Sequence, residues 1–424
     1  MLRRWTVADP WVFGLALAAS VVGVFFIFDA GYAQSMAAGR GWFTREVAMQ
    51  SVALVVGLTV ALWASRRRPE FWLRTSKLWW ALSLLALVAV LSPGLGHAEN
   101  GAHRWIKVGP ITVQPAEFAK LAIVIYLAGV LAVRRPWPKF GRQPDFGTWL
   151  VEIGLRKAFR LLPALWAAMA FVLVAIQPDL GTAAVLALVG WVLFACGGAT
   201  RKSIVGGTVA ALVVGYVFVH MEPYRIERVH NHTTRWEAHN VDDIGFQTVQ
   251  SELAKASGGW FGVGPAAGRA KHVMPAATTD FLSTTVAEEF GFAGWLVCCL
   301  GILGGLSLRL VWLATLAKDR FSALVLLGVG TWIGCQTATN LLMANGTLPA
   351  IGIPLPFLSY GGSSLVALWL AIGVCLALLR PQPTAQDSSK AVVYGDEDRG
   401  YRRRDRGARL PGSRSRQPHP VGRV

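Results

Sequence analysis

Three carboxylates stand at the mouth of an apolar run in the stretch VMPAATTDFLSTTVAEEFGF, residues 273–292. A carboxylate there is costly, because a membrane interior does not hydrate a charge. Asp280 has the chemistry of a general base for a transfer reaction, or of a cap on the following helix. TVAE, from Thr285, matches a capping box that would occupy Glu288. On one helix Asp280 and Glu288 would lie roughly 12 Å apart along the axis, which argues against a glycosidase dyad.

A second polar stretch, NGAHRWIKVGPITVQPAEFAKLA, spans residues 100–122. It places Arg104 and Lys107 before a helix that Pro115 can open, since proline lacks an N–H that would be unpaired in the first turn. Glu117 and Lys120 are three residues apart and face the same side, so they can form an ion pair. The alternative is that one of them lines a polar cavity between helices.

Two further stretches interrupt apolar runs. QPDLGTA, residues 177–183, joins two predicted spans, and Asp179 is predicted to cap the second of them. NLLMANGTLPAIGIPLPFLSYGGSSL, residues 340–365, is rich in proline and glycine, which predicts a kinked or re-entrant segment with close helix contacts.

The elements that must position these residues are membrane spans. Of the 424 residues, 54% are hydrophobic and only 15% are charged, and the mean hydropathy is +0.45. This composition predicts a polytopic membrane protein. The first apolar run is too long for a cleavable signal core, so it is expected to stay as a span. The five cysteines lie in apolar runs without CxxC spacing, which indicates packing rather than a metal or redox site.

Apolar runs between polar breaks predict an all-α fold with about ten transmembrane helices. These runs lie near residues 12–30, 48–65, 78–93, 116–134, 160–176, 181–198, 203–220, 282–312, 322–344 and 359–380.

The net charge of +17 could suggest nucleic acid, but the basic residues cluster in short connectors on alternate sides of successive spans and in the tail. The positive-inside rule therefore predicts that both termini are cytoplasmic. Residues 221–281 then form a large extracellular loop between spans 7 and 8, whose aromatic and glycine residues indicate a folded, membrane-hugging element. Residues 1–380 form the predicted membrane domain, and the basic tail, 381–424, is predicted to be disordered, with anionic lipid as an alternative partner for its arginines.

NGAHRWIKVG, QPAEFAKLA, QPDLGTA, TDF with AEEFGF, and PLPFLSYGGSSL together resemble the SEDS family of bacterial cell-wall proteins, whose members include FtsW and RodA. The motifs are in family order over residues 100–365. The tail and KLAIVIYLAGVLA resemble FtsW more than RodA, whereas the short amino terminus resembles RodA; the balance favours FtsW.

The resemblance implies a ten-helix, inverting glycosyltransferase of the bacterial plasma membrane that polymerises lipid II into peptidoglycan strands outside the membrane. It also implies a class B penicillin-binding transpeptidase as partner, within the division or elongation complex. The family's essential aspartate falls on Asp280, and its acidic and basic pair on Glu117 and Lys120. Ala276 and Thr278 stand where the family usually has Glu and His, which affects the expected polar partners of Asp280.

A diphosphate leaving group needs cations, and the outer candidates for binding it are Arg104, Lys107, Arg225 and Arg228. Glu117, Lys120 and Ser359 complete the predicted substrate-binding set. No cofactor follows from the motifs, and a divalent cation, Mg²⁺ or Mn²⁺, is the one that the resemblance leaves open. Two other functions remain as alternatives: a flippase that transports lipid II, and a non-catalytic scaffold for a transpeptidase.

Overall fold

The computed structural model describes residues 8–133, 156–241 and 245–380, apart from positions 38, 40, 43, 93–94, 100–101, 110, 200, 221–222 and 238–239. These residues form an all-α bundle with a helix at each of the ten predicted spans. Seven of the described spans are long and apolar enough to cross a membrane. The predicted disordered tail, residues 381–424, lies outside the described residues.

In chain order the described helices are α1 (Pro10–Ala37), α2 (Arg45–Ser65), α3 (Pro69–Leu91), α4 (Pro115–Ala132), α5 (Arg156–Ile176), α6 (Leu180–Cys196), α7 (Arg201–His220), α8 (Pro223–Thr233), α9 (Phe246–Gly258), α10 (Ala270–Val273), α11 (Leu282–Trp295), α12 (Ile302–Leu316), α13 (Arg320–Ala344) and α14 (Gly362–Leu379). A π-helical segment, Leu296–Gly301, joins α11 to α12, so that the two form one span of 35 residues.

Small residues bring α2 and α14 into close contact. A Cβ added to Gly57 would meet the Trp369 side chain at 2.9 Å, and one added to Gly373 would meet the Ala61 carbonyl oxygen at 2.5 Å. Close backbone approach of this kind is how helices associate in lipid, where water no longer drives apolar surfaces together. Helix α4 is buried along most of its length, against α3, α6, α13 and α14.

A small antiparallel sheet connects α3 to α4, and the sequence analysis did not predict it. Its strands are β1 (Gly96–Glu99), β2 (Ala102–Val108) and β3 (Ile111–Val113), in the order β1-β2-β3. Within β2 and β3, Ile106 pairs with Val113 and Lys107 with Thr112. The sheet lies on the side predicted to face out, which is called the outer side from here on.

Two other outer segments have irregular backbone but a defined structure. Residues 221–281 contain α8, α9 and α10, so the prediction of a folded loop is confirmed for the described part. Residues 345–361 separate α13 from α14 without a helix, as the proline and glycine pattern predicted. This second segment, called the proline loop, is buried at Ile353, Leu355 and Leu358, so it packs into the bundle.

Candidate functional site

Asp280 lies on a turn immediately before α11 and is half-buried. The cap position of α11 is occupied by Phe281, which makes no side-chain cap bond, so Asp280 lies one residue before the cap position. Its carboxylate lies beside the proline loop, because a Cβ added to Gly352 would come within 3.5 Å of Asp280 Oδ2. The carboxylate is therefore held at a junction between two chain segments, with part of its surface open.

Residues of the proline loop hydrogen-bond to backbone carbonyls of the turn that carries Asp280. The Ser359 hydroxyl donates to the Thr279 carbonyl and accepts from the Leu355 amide at 2.9 Å. The Tyr360 amide donates to the Thr278 carbonyl at 2.9 Å. Contact of Ser359 with substrate stays a prediction; in the structure its hydroxyl is buried and holds the Asp280 turn.

At Ala276 and Thr278, the two positions that depart from the family motif, the turn is hydrogen-bonded through the backbone. The Thr279 and Phe281 amides both donate to the Ala276 carbonyl, at 3.2 Å each, and Thr278 contributes its carbonyl to Tyr360. Because these are backbone groups, the turn keeps its hydrogen bonds with alanine and threonine in place of glutamate and histidine.

Helix α13 supports the same region through a fully buried amide. Asn340 Nδ2 donates to the Asp280 carbonyl and to the Ile353 carbonyl, at 2.7 Å each. One turn earlier, Gln336 Nε2 donates to the Pro354 carbonyl at 2.9 Å. Residues four apart share a helix face, so α13 presents two amides to consecutive carbonyls of the proline loop.

Gln336 joins this support to the predicted ion pair on α4. The pair is confirmed: Lys120 Nζ lies 2.7 Å from Glu117 Oε1, and both residues are 2% exposed. Lys120 Nζ also donates to Gln336 Oε1 at 3.0 Å, and the Trp332 indole donates to the same oxygen at 2.7 Å. Hydrogen bonds therefore link Glu117 to Pro354 of the proline loop through Lys120 and Gln336, and the neighbouring Ile353 to the Asp280 carbonyl through Asn340. The predicted role of the pair in substrate binding stays a prediction.

Arg104 is used by the protein itself. Its Nε donates to the Gln177 carbonyl at 3.0 Å, and its Nη2 donates to the Pro178 carbonyl. The Asp179 side chain accepts from the Thr182 amide at 3.0 Å, which confirms the predicted cap of α6. Arg104 therefore fastens the β2 strand to the turn between α5 and α6, and its predicted binding of a phosphate stays a prediction.

The structure describes the side chain of only one of the other three predicted phosphate-binding cations, Lys107, Arg225 and Arg228. Lys107 is exposed on β2. Arg225 and Arg228 both lie on α8, but their side chains fall outside the described residues. No described residues bring three or more His, Cys, Asp or Glu side chains together to hold a metal ion. The divalent cation therefore stays a prediction.

An apolar cavity of about 250 Å³ opens below the small sheet. Ile106 and Val113 stand at its outer end, and Trp72 near its inner end. Along α3, Ala86 lies fourteen positions beyond Trp72, or about 21 Å of helix. Its remaining lining comes from α3, α4 and α14, through Trp79, Leu82, Ser83, Pro115, Phe118, Leu121, Ala122, Ile125 and Leu370.

Glu288 and Glu289 have roles that the sequence analysis missed. Thr285 lies inside α11 rather than before it, so the capping box from Thr285 is wrong. Glu288 instead accepts from the Arg269 amide at 2.8 Å and the Ala270 amide at 3.1 Å, and so caps α10 from another helix. Glu289 accepts from Lys271 Nζ at 2.5 Å.

The same lysine reaches α1. Lys271 Nζ lies 2.7 Å from Asp29 Oδ1 and 2.6 Å from Asp29 Oδ2, and Lys271 is 2% exposed. Together Asp29, Lys271 and Glu289 form a buried charge cluster that ties α1, α10 and α11 together. The two glutamates of AEEFGF therefore fasten the outer loop.

Sequence reasoning also missed Gln336 and Asn340. Both are fully buried polar residues inside an apolar span, and a polar side chain in such a place marks a contact with another polar group. Their spacing of four was a visible signal. Their partners, the carbonyls of the proline loop, were not.

Comparison with known proteins places the chain in a family. The family model for FtsW, RodA and SpoVE, described as cell cycle protein, matches residues 10–382. A probable peptidoglycan glycosyltransferase FtsW from Allochromatium vinosum is 37% identical over 339 residues, which cover 77% of this chain and 79% of that protein.

Solved structures agree with the relatives in sequence. One chain of a peptidoglycan synthase complex, described in terms of polymerization and crosslinking, superposes with a TM-score of 0.68 at 28% identity. The rod shape determining protein RodA of Thermus thermophilus superposes with a TM-score of 0.61 at 28% identity. Each match covers 89% of this chain and 98% of the other.

Proposed function

The chain belongs to the FtsW, RodA and SpoVE family, and on that premise we propose that it is a peptidoglycan glycosyltransferase that polymerises lipid II. It is a multi-pass protein of the bacterial inner membrane. The observation that carries the proposal is the Asp280 turn: three neighbouring backbone carbonyls, those of Thr278, Thr279 and Asp280, are held by groups of the proline loop and α13. The carboxylate next to them is left half-buried.

Asp280 acts as the general base in this proposal. It removes the proton from the 4-hydroxyl of the acceptor sugar while that oxygen attacks the anomeric carbon of the donor. The bond between the anomeric carbon and the phosphate oxygen breaks, and the lipid diphosphate leaves with the bonding electrons. Attack opposite the leaving group inverts the anomeric centre. A fixed turn lowers the barrier because the base needs no reorganisation when the acceptor arrives.

The leaving diphosphate gains negative charge and needs cations near it. Lys107 is exposed on β2, next to Ile106 at the outer end of the apolar cavity. Adjacent residues of a strand project to opposite faces, so an anion bound by Lys107 would lie across the sheet from the cavity. Arg225 and Arg228 are the further cations of the proposal, and Arg104 holds β2 in place.

The apolar cavity suits the lipid part of the substrate. It lies between α3 and α4 and extends inward from the sheet, with an almost wholly apolar lining. Removing apolar surface from water stabilises a polyprenyl chain by about 25 cal/mol for each Å². A chain that is already in lipid does not gain this free energy on entering the cavity. The shape and depth of the cavity therefore decide whether the chain binds there. We propose that the tail lies there while the sugars reach Asp280.

We also propose a class B penicillin-binding transpeptidase as partner, within the division or elongation machinery. Supporting this is the structural similarity to a chain of a complex described as a peptidoglycan synthase that coordinates polymerization and crosslinking. A transpeptidase consumes the strands that a polymerase makes, so the two reactions are sequential.

The test is polymerisation of lipid II by purified chain in lipid vesicles. Asp280→Asn keeps the shape of the turn but removes a proton acceptor, so polymer formation is expected to fall by roughly a hundredfold or more. Thermal stability is expected to stay near wild type, because the bonds of the turn come from its backbone.

Asp179→Asn is the matched control, since asparagine caps a helix about as well as aspartate. If Asp280→Asn made as much polymer as wild type and Asp179→Asn made none, Asp179 rather than Asp280 would be the general base. Flipping of lipid II without polymer would indicate a transporter, and neither activity in the wild-type chain would indicate a scaffold.

A further inference from the structure

The segment 258–265, with the sequence GGWFGVGP, presents large apolar side chains at the surface. Trp260 is 68% exposed, Phe261 86% and Val263 45%. None of its residues is charged. Exposed apolar groups concentrated in an uncharged tip mark a surface that contacts something other than water.

The backbone of this segment, called the aromatic loop, completes a broken membrane helix. Helix α11 breaks at Gly291, which has φ 66° and ψ −170°. An unbroken helix would pair the amides of residues 292 and 293 with the carbonyls of residues 288 and 289. The break frees all four groups, and each would cost several kcal/mol if left unpaired in lipid.

The aromatic loop takes up all four freed groups. The Phe292 amide donates to the Gly259 carbonyl at 2.8 Å, and the Ala293 amide to the Trp260 carbonyl at 3.1 Å. In the other direction, the Val263 amide donates to the Glu288 carbonyl at 3.0 Å and the Gly264 amide to that of Glu289 at 3.1 Å. The loop therefore lies at the same depth as the break.

Two ion clusters show where this depth lies relative to the bilayer. Asp9, one residue before α1, has its Oδ2 2.7 Å from Nη2 of Arg309, which lies in the middle of α12. Twenty residues further along the chain, Asp29 of α1 shares Lys271 with Glu289 of α11. On each chain segment the two charged positions are twenty residues apart, and no residue between them is charged.

Twenty helical residues span about 30 Å, which is the thickness of the hydrocarbon core of a bilayer. The stretch from Asp9 to Asp29, which lies almost wholly in α1, has this length, and the antiparallel stretch 289–309, which contains the break at Gly291 and the π-helical segment, ends at the same two ion clusters. The two clusters therefore mark the two boundaries of that core. Arg309 also lies over the Trp312 ring at 4.4 Å, an arrangement typical of the interface. Gly291 follows Glu289 by two residues and so lies at the outer boundary.

We infer that the aromatic loop is a membrane anchor whose Trp260 and Phe261 insert into the outer leaflet at the boundary between headgroups and acyl chains. Trp260 packs edge-on against Phe292 with ring centroids 5.2 Å apart, and Phe292 stacks on Trp295 at 5.8 Å. These rings form one aromatic patch on the surface of the span. Aromatic side chains of this kind collect at the membrane interface, where the rings meet acyl chains and the polar edges meet headgroups.

The anchor fixes the height of the outer loop. Four residues separate it from α10, which Glu288 caps and Lys271 ties to α1 and α11. Six further residues separate the end of α10 from Asp280. The inference of lipid contact does not depend on the reaction that Asp280 performs, so it can fail while the proposed activity holds, and the reverse.

The test measures depth directly. In a variant with the five native cysteines replaced by alanine, Phe261→Cys is labelled with an environment-sensitive fluorophore and the protein is placed in vesicles of phosphatidylglycerol and phosphatidylethanolamine. Phospholipids with a spin label near the glycerol backbone are expected to quench it, and aqueous iodide is not. His272→Cys, also exposed and eleven residues further on, is the matched control and is expected to show the opposite pattern.

A second measurement uses the native chain, in case the cysteine-free variant does not fold. A phospholipid with a photoreactive diazirine near the glycerol backbone is expected to label the peptide that contains Trp260 and Phe261. Quenching of the Phe261→Cys label by iodide alone, or absence of photolabel from that peptide in a folded native chain, would overturn the inference. Loss of lipid quenching only when a membrane partner is added would show that the partner displaces lipid from the loop.

Discussion

Two lysines, Lys120 and Lys271, are each 2% exposed and each bonded to glutamate, yet their surroundings differ. Lys271 contacts three carboxylate oxygens of Asp29 and Glu289, and Glu289 also accepts from backbone amides at Ala266 and Gly268. Lys120 contacts one oxygen of Glu117 and one of Gln336. Among the described residues, Glu117 Oε2 has no hydrogen-bond partner.

From this difference we expect the Lys271 cluster to fasten the fold and the Glu117 pair to serve the proposed reaction as well. A buried polar group without a partner costs about 1–3 kcal/mol, and more when it is charged. The Lys271 cluster leaves no described carboxylate oxygen of Glu289 unpaired and joins elements 242 positions apart, as a structural clamp would. The Glu117 pair keeps an unused acceptor and connects to the Asp280 turn, so it retains the capacity to bind water or a substrate group.

The largest effect is expected from Lys271→Met. This change leaves Asp29 and Glu289 buried together without a cation, and breaking a buried ion pair costs about 3–5 kcal/mol. We expect little monodisperse protein and a strongly lowered Tm, measured by size-exclusion chromatography and thermal denaturation. Adding Asp29→Asn and Glu289→Gln to Lys271→Met should restore both folding and polymerisation. A Tm near wild type for the single variant would contradict the clamp.

Lys120→Met is expected to cost less, near 3 kcal/mol, because it leaves one buried carboxylate rather than two. A double-mutant cycle with Glu117→Gln should give a coupling of about 0.5–3 kcal/mol in thermal stability. The double variant Lys120→Met with Glu117→Gln should recover the wild-type Tm but not polymerisation. The triple variant that neutralises the Lys271 cluster should recover both. Strict additivity of the two single changes would show that the pair is not coupled.

Lys255 on α9 is a buried lysine that, unlike Lys120 and Lys271, forms no ion pair in the described part of the chain. Its Nζ is buried and has no hydrogen-bond partner among the described residues. Burial lowers the pKa of Lys255 to about 8, while Cys299 and Glu252 oppose the shift. The folded state therefore binds fewer protons than the unfolded state between about pH 8 and the ordinary lysine value, so stability should rise with pH across that range.

Lys255→Met should remove this rise and increase Tm at pH 7, since it deletes a buried charge. The measurement is Tm at pH 7.5 and pH 9.5 for both proteins in the same vesicles. An equal rise in the wild type and the variant would assign the pH dependence to another group.

The smallest effect is expected at Asp179, whose two carboxylate oxygens both have partners, the Thr182 amide and the Gln114 side chain. Asp179→Ala should lower the free energy of unfolding by about 1 kcal/mol through the lost cap, and Asp179→Asn by much less. Thermal denaturation of the two variants measures the difference. If Asp179→Asn lost as much stability as Asp179→Ala, the negative charge rather than the cap would be the stabilising feature.

The sequence by itself determined the features that depend on neighbours within a few residues. Helix positions follow from apolar length, because a span needs about 20 apolar residues. The Glu117–Lys120 pair follows from a spacing of three, and the Asp179 cap from an aspartate at a helix start. The order of the motifs gave the family. In each case the partners are held together by the helix itself.

Only the tertiary structure decided which distant groups meet. Glu288 caps α10 rather than its own helix, Arg104 binds carbonyls 73 and 74 positions away, and Asn340 reaches Asp280 across 60 positions. The break at Gly291 is tolerated because the aromatic loop fills it. These contacts depend on how whole helices pack, and a buried polar group takes whichever partner the packing brings within about 3 Å, whatever its distance along the chain.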